Sequence, residues 1–124
     1  MGQTPDAFWA NLVAGKPGIG PMTLCDPTDY PCRIAGEVRD FDPAQYMDNK
    51  ESRRMARFSQ LAVAAGLTAV ESAGLDISRE NPYRVGVVLG NGNGGFPTLE
   101  DNCRVLAERG GMRMTPFFFP MVLP

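Results

Sequence analysis

Residues 84–95 read RVGVVLGNGNGG, and this stretch decides the fold class. Val85–Leu89 is an uninterrupted apolar run, the pattern of a strand buried on both faces. The glycine loop Gly90–Gly95 follows at once, and about Phe96 to Arg109 reads as a helix stopped by Gly110 and Gly111. Strand, glycine turn and helix in that order belong to an α/β chain.

Toward the N-terminus, the longest predicted helix runs from about Asn49 to Ala73. Asp48 is its N-cap, with Glu51 three residues on as in a capping box. Met55, Phe58, Ala62, Ala65 and Ala69 keep to one face, and Leu61, Val63, Leu67 and Val70 widen it. The later half is therefore expected to be buried nearly all round, with another element close against its Ala residues and Gly66, and Gly74 ends it. Earlier still, Thr4 and Pro5 signal the start of a helix with Phe8, Leu12 and Val13 as its stripe and Gly15 as its stop. Residues 16–32 carry four prolines and two glycines and read as a turn-rich connection. Arg33–Arg39 reads as a short strand weakened by Gly36, and Asp42-Pro43 starts a helical turn through about Met47. One firm strand with two or three helices cannot cover both faces of a sheet, so the chain reads as incomplete on its own.

Composition narrows the chemistry. With 124 residues, 44% hydrophobic and 21% charged, the chain is globular rather than disordered, and its 14 glycines and 11 prolines predict many turns. Twelve basic and fourteen acidic residues give a net charge of −2, which argues against a general nucleic-acid binder. Histidine is absent, which excludes His-based acid–base catalysis, His-activated nucleophiles and His-ligated metals within these residues. Cys25, Cys32 and Cys103 show no CxxC spacing; they read as buried, reduced thiols of a cytoplasmic protein, with neither a disulfide framework nor a metal site. No apolar window long enough for a membrane span, no secretory signal and no acylation motif is present: Asp6 stands where Met1-Gly2 would need Ser or Thr downstream. No cofactor is expected.

Three motifs have a functional and a structural reading. Gly90, Gly92 and Gly95 match G-x-G-x-x-G after a strand, the pattern of a nucleotide-binding turn. The acidic residue expected about 20 residues on falls at Glu108, inside the predicted helix, so the competing reading is a tight turn packed against a neighbour. Lys50, Arg53, Arg54 and Arg57 fall at i, i+3, i+4 and i+7, one basic stripe on the first turns of the long helix. Cations there oppose the helix dipole, so the stripe is either a solvated face or a docking patch for an acidic partner. Phe117-Phe118-Phe119 reads as core or interface packing, or as the wall of a channel for a hydrophobic ligand.

Four segments together, AFWANLVAGKPGIGPM, FDPAQYMDNKESRRMARFSQLAVAAGLTAVESAGL, RVGVVLGNGNGG and TPFFFPMVLP, resemble in order the N-terminal part of β-ketoacyl-acyl carrier protein synthases. The nearest type is the elongating enzyme of bacterial type II fatty acid synthesis. The resemblance covers essentially all of residues 1–124 and implies a thiolase-like layered α-β-α-β-α fold, usually homodimeric, of which this would be an incomplete N-terminal piece without the family's first strand. It implies decarboxylative Claisen condensation of an acyl thioester with malonyl-acyl carrier protein. The family's cysteine nucleophile and two histidines match nothing in this chain, so no catalytic residue is expected here and the chain alone is expected to be inactive. Binding residues do carry over. Asn93 matches the position at the end of the acyl pocket, where an apolar residue is usual, and Phe118 matches an aromatic that lines the partner subunit's pocket. Lys50, Arg53 and Arg54 match basic positions where the acidic carrier protein docks, with Arg113 beside them. A polyketide-type ketosynthase or chain-length-determining homologue is the alternative within the family, and a small nucleotide-binding module using GNGNGG is the alternative outside it.

Overall fold

The computed structural model of the chain describes residues 2–123. Met1 of the acylation reading and Pro124, the last residue of TPFFFPMVLP, lie outside them. The chain divides into two compact units, one ending at Asp42 and the other beginning at Pro43.

In the first unit α1 (Pro5–Val13) starts as its sequence predicts. Thr4 is extended and its Oγ1 accepts the Ala7 amide at 3.2 Å, while Pro5 takes the first helical position. Gly15, at φ 64°, provides the left-handed residue that ends it. The strand expected over Arg33–Arg39 shrinks to β2 (Ile34–Ala35), which pairs antiparallel with β1 (Gly20–Pro21). The reason is a side chain. Beyond the ladder, the Glu37 carboxylate accepts the Thr23 and Leu24 amides at 2.8 and 3.0 Å, the Thr23 hydroxyl at 2.8 Å and Arg39 Nε at 2.9 Å. The arms are joined there by a carboxylate instead of by backbone pairing. These donors, the Thr23 amide foremost, hold the carboxyl at a pKa of about 2.

In the second unit a 3₁₀ turn over Pro43–Gln45 stands where Asp42-Pro43 predicts a helical turn. Asp48 caps as expected, its carboxylate accepting the Lys50 and Glu51 amides at 2.7 and 2.8 Å. The single helix expected from Asn49 to Ala73 is two: α2 (Asn49–Ser52) and α3 (Arg57–Ser72). After Ser52 the amides of Arg54 and Met55 reach back only three residues, and Ala56 is fully extended at φ −72°, ψ 164°. Gln60 Nε2 spans the break, donating at 2.8 Å to the Ser52 carbonyl, which also accepts the Met55 amide at 3.2 Å. Gly74, at φ 60°, ends α3 as expected.

The helix α4 (Phe96–Arg109) has the predicted bounds and stops at Gly110, φ 78°. A 3₁₀ turn, Gly111–Arg113, leads into α5 (Phe118–Val122), which the sequence left as an apolar run broken by prolines. Pro120 falls in the first turn of α5, where a missing N–H interrupts no helical bond.

Two burial expectations fail together. Val85–Leu89 is not a strand, and Val87 and Val88 are 82% and 97% exposed. In α3 only Ala64 is buried, and Leu67 is half exposed. A strand needs a neighbour to take its N–H and C=O groups, and the one sheet among the described residues is the β1–β2 hairpin of the other unit. The described residues are thus mostly helical, and they do not by themselves display the layered α/β arrangement expected of them.

Candidate functional site

The site is built where the end of the chain meets the glycine loop. Thr115 and Pro116 form a turn ahead of α5, whose N-cap is Phe117: Thr115 Oγ1 accepts the Phe117 amide at 3.3 Å and its carbonyl accepts the Phe118 amide at 3.1 Å. Asn102 anchors this segment to α4. Its Nδ2 donates to the Thr98 carbonyl at 2.9 Å, and its Oδ1 accepts the Thr115 amide at 3.3 Å. At 8% exposure this is a buried polar group with its partners in place.

The far end of α5 rests on the glycine loop. The Gly95 amide donates to the Val122 carbonyl at 3.1 Å. A side-chain carbon at Gly94, which also sits at φ 65°, would run into the Val122 carbonyl oxygen. One at Gly95 would run into the Met121 carbonyl and come within 3.1 Å of Ala56 Cβ. Gly90 and Gly92, by contrast, have open space around them. The close approach expected of the loop is therefore made at its last two glycines. The same geometry counts against a pyrophosphate cradle, because the Gly95 amide is engaged by Val122 and Pro97 has no amide to offer.

Ala56, 5% exposed, ties the helix break to this junction, since its Cβ lies against Gly95. The segment that carries the basic residues is thereby set beside the tail, and the Arg54 guanidinium lies over the Phe117 ring, 4.8 Å from its centroid. Lys50 and Arg53 are exposed on the α2 side, and Arg113 is exposed two residues before Thr115. Among the described residues none of these three makes an ion pair. Arg57 opens α3 beyond the break, so the four cations do not form the stripe on one continuous helix that their spacing predicts. Asn93 is exposed next to Gly94, and Phe118 is half-buried at the start of α5, edge-on to Phe119 with centroids 5.3 Å apart. The structure brings together the two elements that carry Asn93 and Phe118.

Elsewhere in this unit α3 and the segment 85–91 line an open apolar groove of about 910 Å³, with Phe58, Leu61, Leu67, Val70, Val85 and Leu89 among its walls. The three cysteines are exposed, which corrects the expectation of buried thiols: Cys25 and Cys32 lie on the loop that joins β1 to β2, and Cys103 lies on α4. Among the described residues no group of three or more His, Cys, Asp or Glu side chains could hold a metal ion. No described helix is long and apolar enough to cross a membrane.

Residues 1–122 match the family described as the β-ketoacyl synthase, N-terminal domain. The chain belongs to this family. It is 42% identical over 123 residues to the 3-oxoacyl-(acyl-carrier-protein) synthase 2 of Synechocystis, an alignment covering 99% of this chain and 30% of that protein. It is 39% identical over 124 residues to the enzyme of the same name from Staphylococcus aureus, covering 100% of this chain and 31% of that protein. The chain thus spans about 30% of the length of the curated relatives it matches. A chain of the solved complex of a type II PKS acyl-carrier protein with its ketosynthase, bound to the hexaketide, superposes with a TM-score of 0.64 at 32% identity, covering 70% of this chain and 24% of that one.

Two residues that build the synthase junction escape sequence reading. Asn102 falls between Leu99 and Leu106 at the 3- and 4-residue spacing of an apolar face, so a polar residue there signals a buried hydrogen-bonding task. Thr115 before Pro116 is the other signal, a turn-forming hydroxyl that stands two residues before the N-cap of α5.

Proposed function

We propose that this chain is part of a 3-oxoacyl-acyl carrier protein synthase of the fatty-acid-elongating kind, acting by decarboxylative Claisen condensation with malonyl-acyl carrier protein. The observation that carries the reading is the junction itself: a loop bearing Asn93, a tail bearing Phe118 and a cationic segment bearing Lys50, Arg53 and Arg54 meet in a β-ketoacyl synthase chain. In this reading the chain supplies binding surface in a thiolase-like layered fold. Asn93 and Phe118 line the acyl pocket, with Phe118 reaching toward the second subunit of a homodimer. Exposed Lys50, Arg53, Arg54 and Arg113 receive the acidic carrier protein, and charges that form no ion pair here are available for one. The nucleophile and the proton-handling groups come from outside these residues, consistent with the absence of histidine. The proposed setting is the cytoplasm, and the substrates are acyl and malonyl thioesters on the carrier protein. The open groove of α3 and the unpaired segment 85–89 suit a chain whose apolar faces are covered by the rest of such a fold.

The test is charge reversal at two exposed cations, K50E with R53E, in the intact synthase. Carrier-protein affinity at low salt is expected to fall by about fivefold or more, from the roughly 0.2–1 kcal/mol that each exposed pair contributes plus the new repulsion. Unchanged affinity would refute the docking surface.

A further inference from the structure

The four basic residues at the helix break are not equivalent. Arg53 reaches open solvent, whereas the neighbouring Arg54 guanidinium lies over the Phe117 ring at 4.8 Å. Phe117 is the residue from which α5 springs, its own amide tied to Thr115 Oγ1. The other end of α5 presents the Met121 and Val122 carbonyls to Gly95 and Gly94, next to Asn93. One short helix therefore connects a cation on the basic segment to the conformation of the glycine loop.

We infer that Arg54 is a positioning residue: it clamps the root of α5 through Phe117 and so holds the glycine loop that carries Asn93. The physical basis is a guanidinium–ring attraction together with the rigidity of α5. The Met121 amide bonds the Phe117 carbonyl at 2.9 Å and the Leu123 amide bonds the Phe119 carbonyl at 3.0 Å, so the root and the tip of α5 move together. A guanidinium is suited to this position because its flat, weakly hydrated face stacks on an aromatic ring. The clamp is read from these contacts alone; its consequence, that anionic groups competing for Arg54 loosen the end of an acyl pocket, rests on the function proposed above.

The Gly95 amide, bonded to the Val122 carbonyl, reports the docked state of α5 directly. Its hydrogen exchange, followed by NMR in the full chain, is compared among wild type, R54M, R54K and R53M. Methionine keeps an unbranched apolar stem and removes the charge. R54M is expected to speed exchange at Gly95 about two- to fivefold, the loss of one exposed cation–ring contact. R54K, which keeps a cation over the ring, is expected to restore most of the protection, and R53M is expected to leave it at the wild-type rate. Wild-type exchange in R54M, or equal acceleration in R53M and R54M, would overturn the inference. In a fourth variant, F117L, the ring is gone, so adding R54M should produce no further acceleration; multiplicative effects would likewise overturn it. Should F117L not fold, the three arginine variants decide alone. The docking reading is tested separately at Lys50 and Arg53, so either idea can fail without the other.

Discussion

Replacing Gly94 by alanine should undock α5 from the glycine loop. Two effects add at this position. At φ 65° an L-residue costs about 1–2 kcal/mol more than glycine. Its Cβ would also collide with the Val122 carbonyl oxygen, and relieving that clash moves the carbonyl away from the Gly95 amide, losing a hydrogen bond of about 0.5–1.5 kcal/mol net. The sum is about 1.5–3.5 kcal/mol. Gly74 is the matched control, because it has φ 60° and nothing within 4 Å, so Gly74→Ala carries only the backbone effect, about 1–2 kcal/mol. Gly92→Ala has neither and should be neutral or slightly stabilising. Urea unfolding followed by far-UV circular dichroism measures all three, and exchange at the Gly95 amide locates the effect of the first. If Gly94→Ala is no more destabilising than Gly74→Ala, and Gly95 stays as protected as in wild type, the argument that α5 selects glycine at the end of this loop is wrong.

Three further outcomes are expected. Glu37, held at about pH 2 against an ordinary 4.5, stabilises the hairpin arms in its charged form; that contribution is complete above pH 4.5, declines as the pH falls toward 2, and should be absent from Glu37→Gln when the Thr23 and Leu24 amide shifts are titrated. Asn102→Ala leaves the Thr115 amide without its acceptor and should destabilise the second unit by about 1–3 kcal/mol in denaturant unfolding, whereas an exposed neighbour such as Glu108→Ala should change stability by less than about 0.5 kcal/mol. All three cysteines, being exposed, should react with a maleimide in the native chain at rates close to those in urea; protection of any one would show that its surface is covered.

Local signals were legible and accurate. Thr4, Asp48, Gly15, Gly74 and Gly110 start and stop helices where their chemistry requires, because a cap side chain or a left-handed glycine acts on groups two to four residues away. The end of α4 at Gly110 is correct for the same reason, and its start is marked by Pro97 in the first turn. The set of segments that marks the β-ketoacyl synthase family is likewise a property of the chain order alone.

What the sequence could not decide was everything that depends on a neighbour distant along the chain. Residues 49–73 carry an unbroken helical pattern, yet the helix parts at Ala56, which packs against Gly95 nearly forty residues on. Val85–Leu89 has the pattern of a buried strand, but a strand is a relation between two segments, and no described strand lies beside it. Gly90, Gly92 and Gly95 look alike as letters; only the approach of the Met121 and Val122 carbonyls shows that Gly94 and Gly95 are the ones that must lack a side chain. Arg53 and Arg54, adjacent and identical in type, are separated by a single ring contact. Short-range hydrogen bonding is written in local residue choice, whereas packing is set by which surfaces the folded chain brings together.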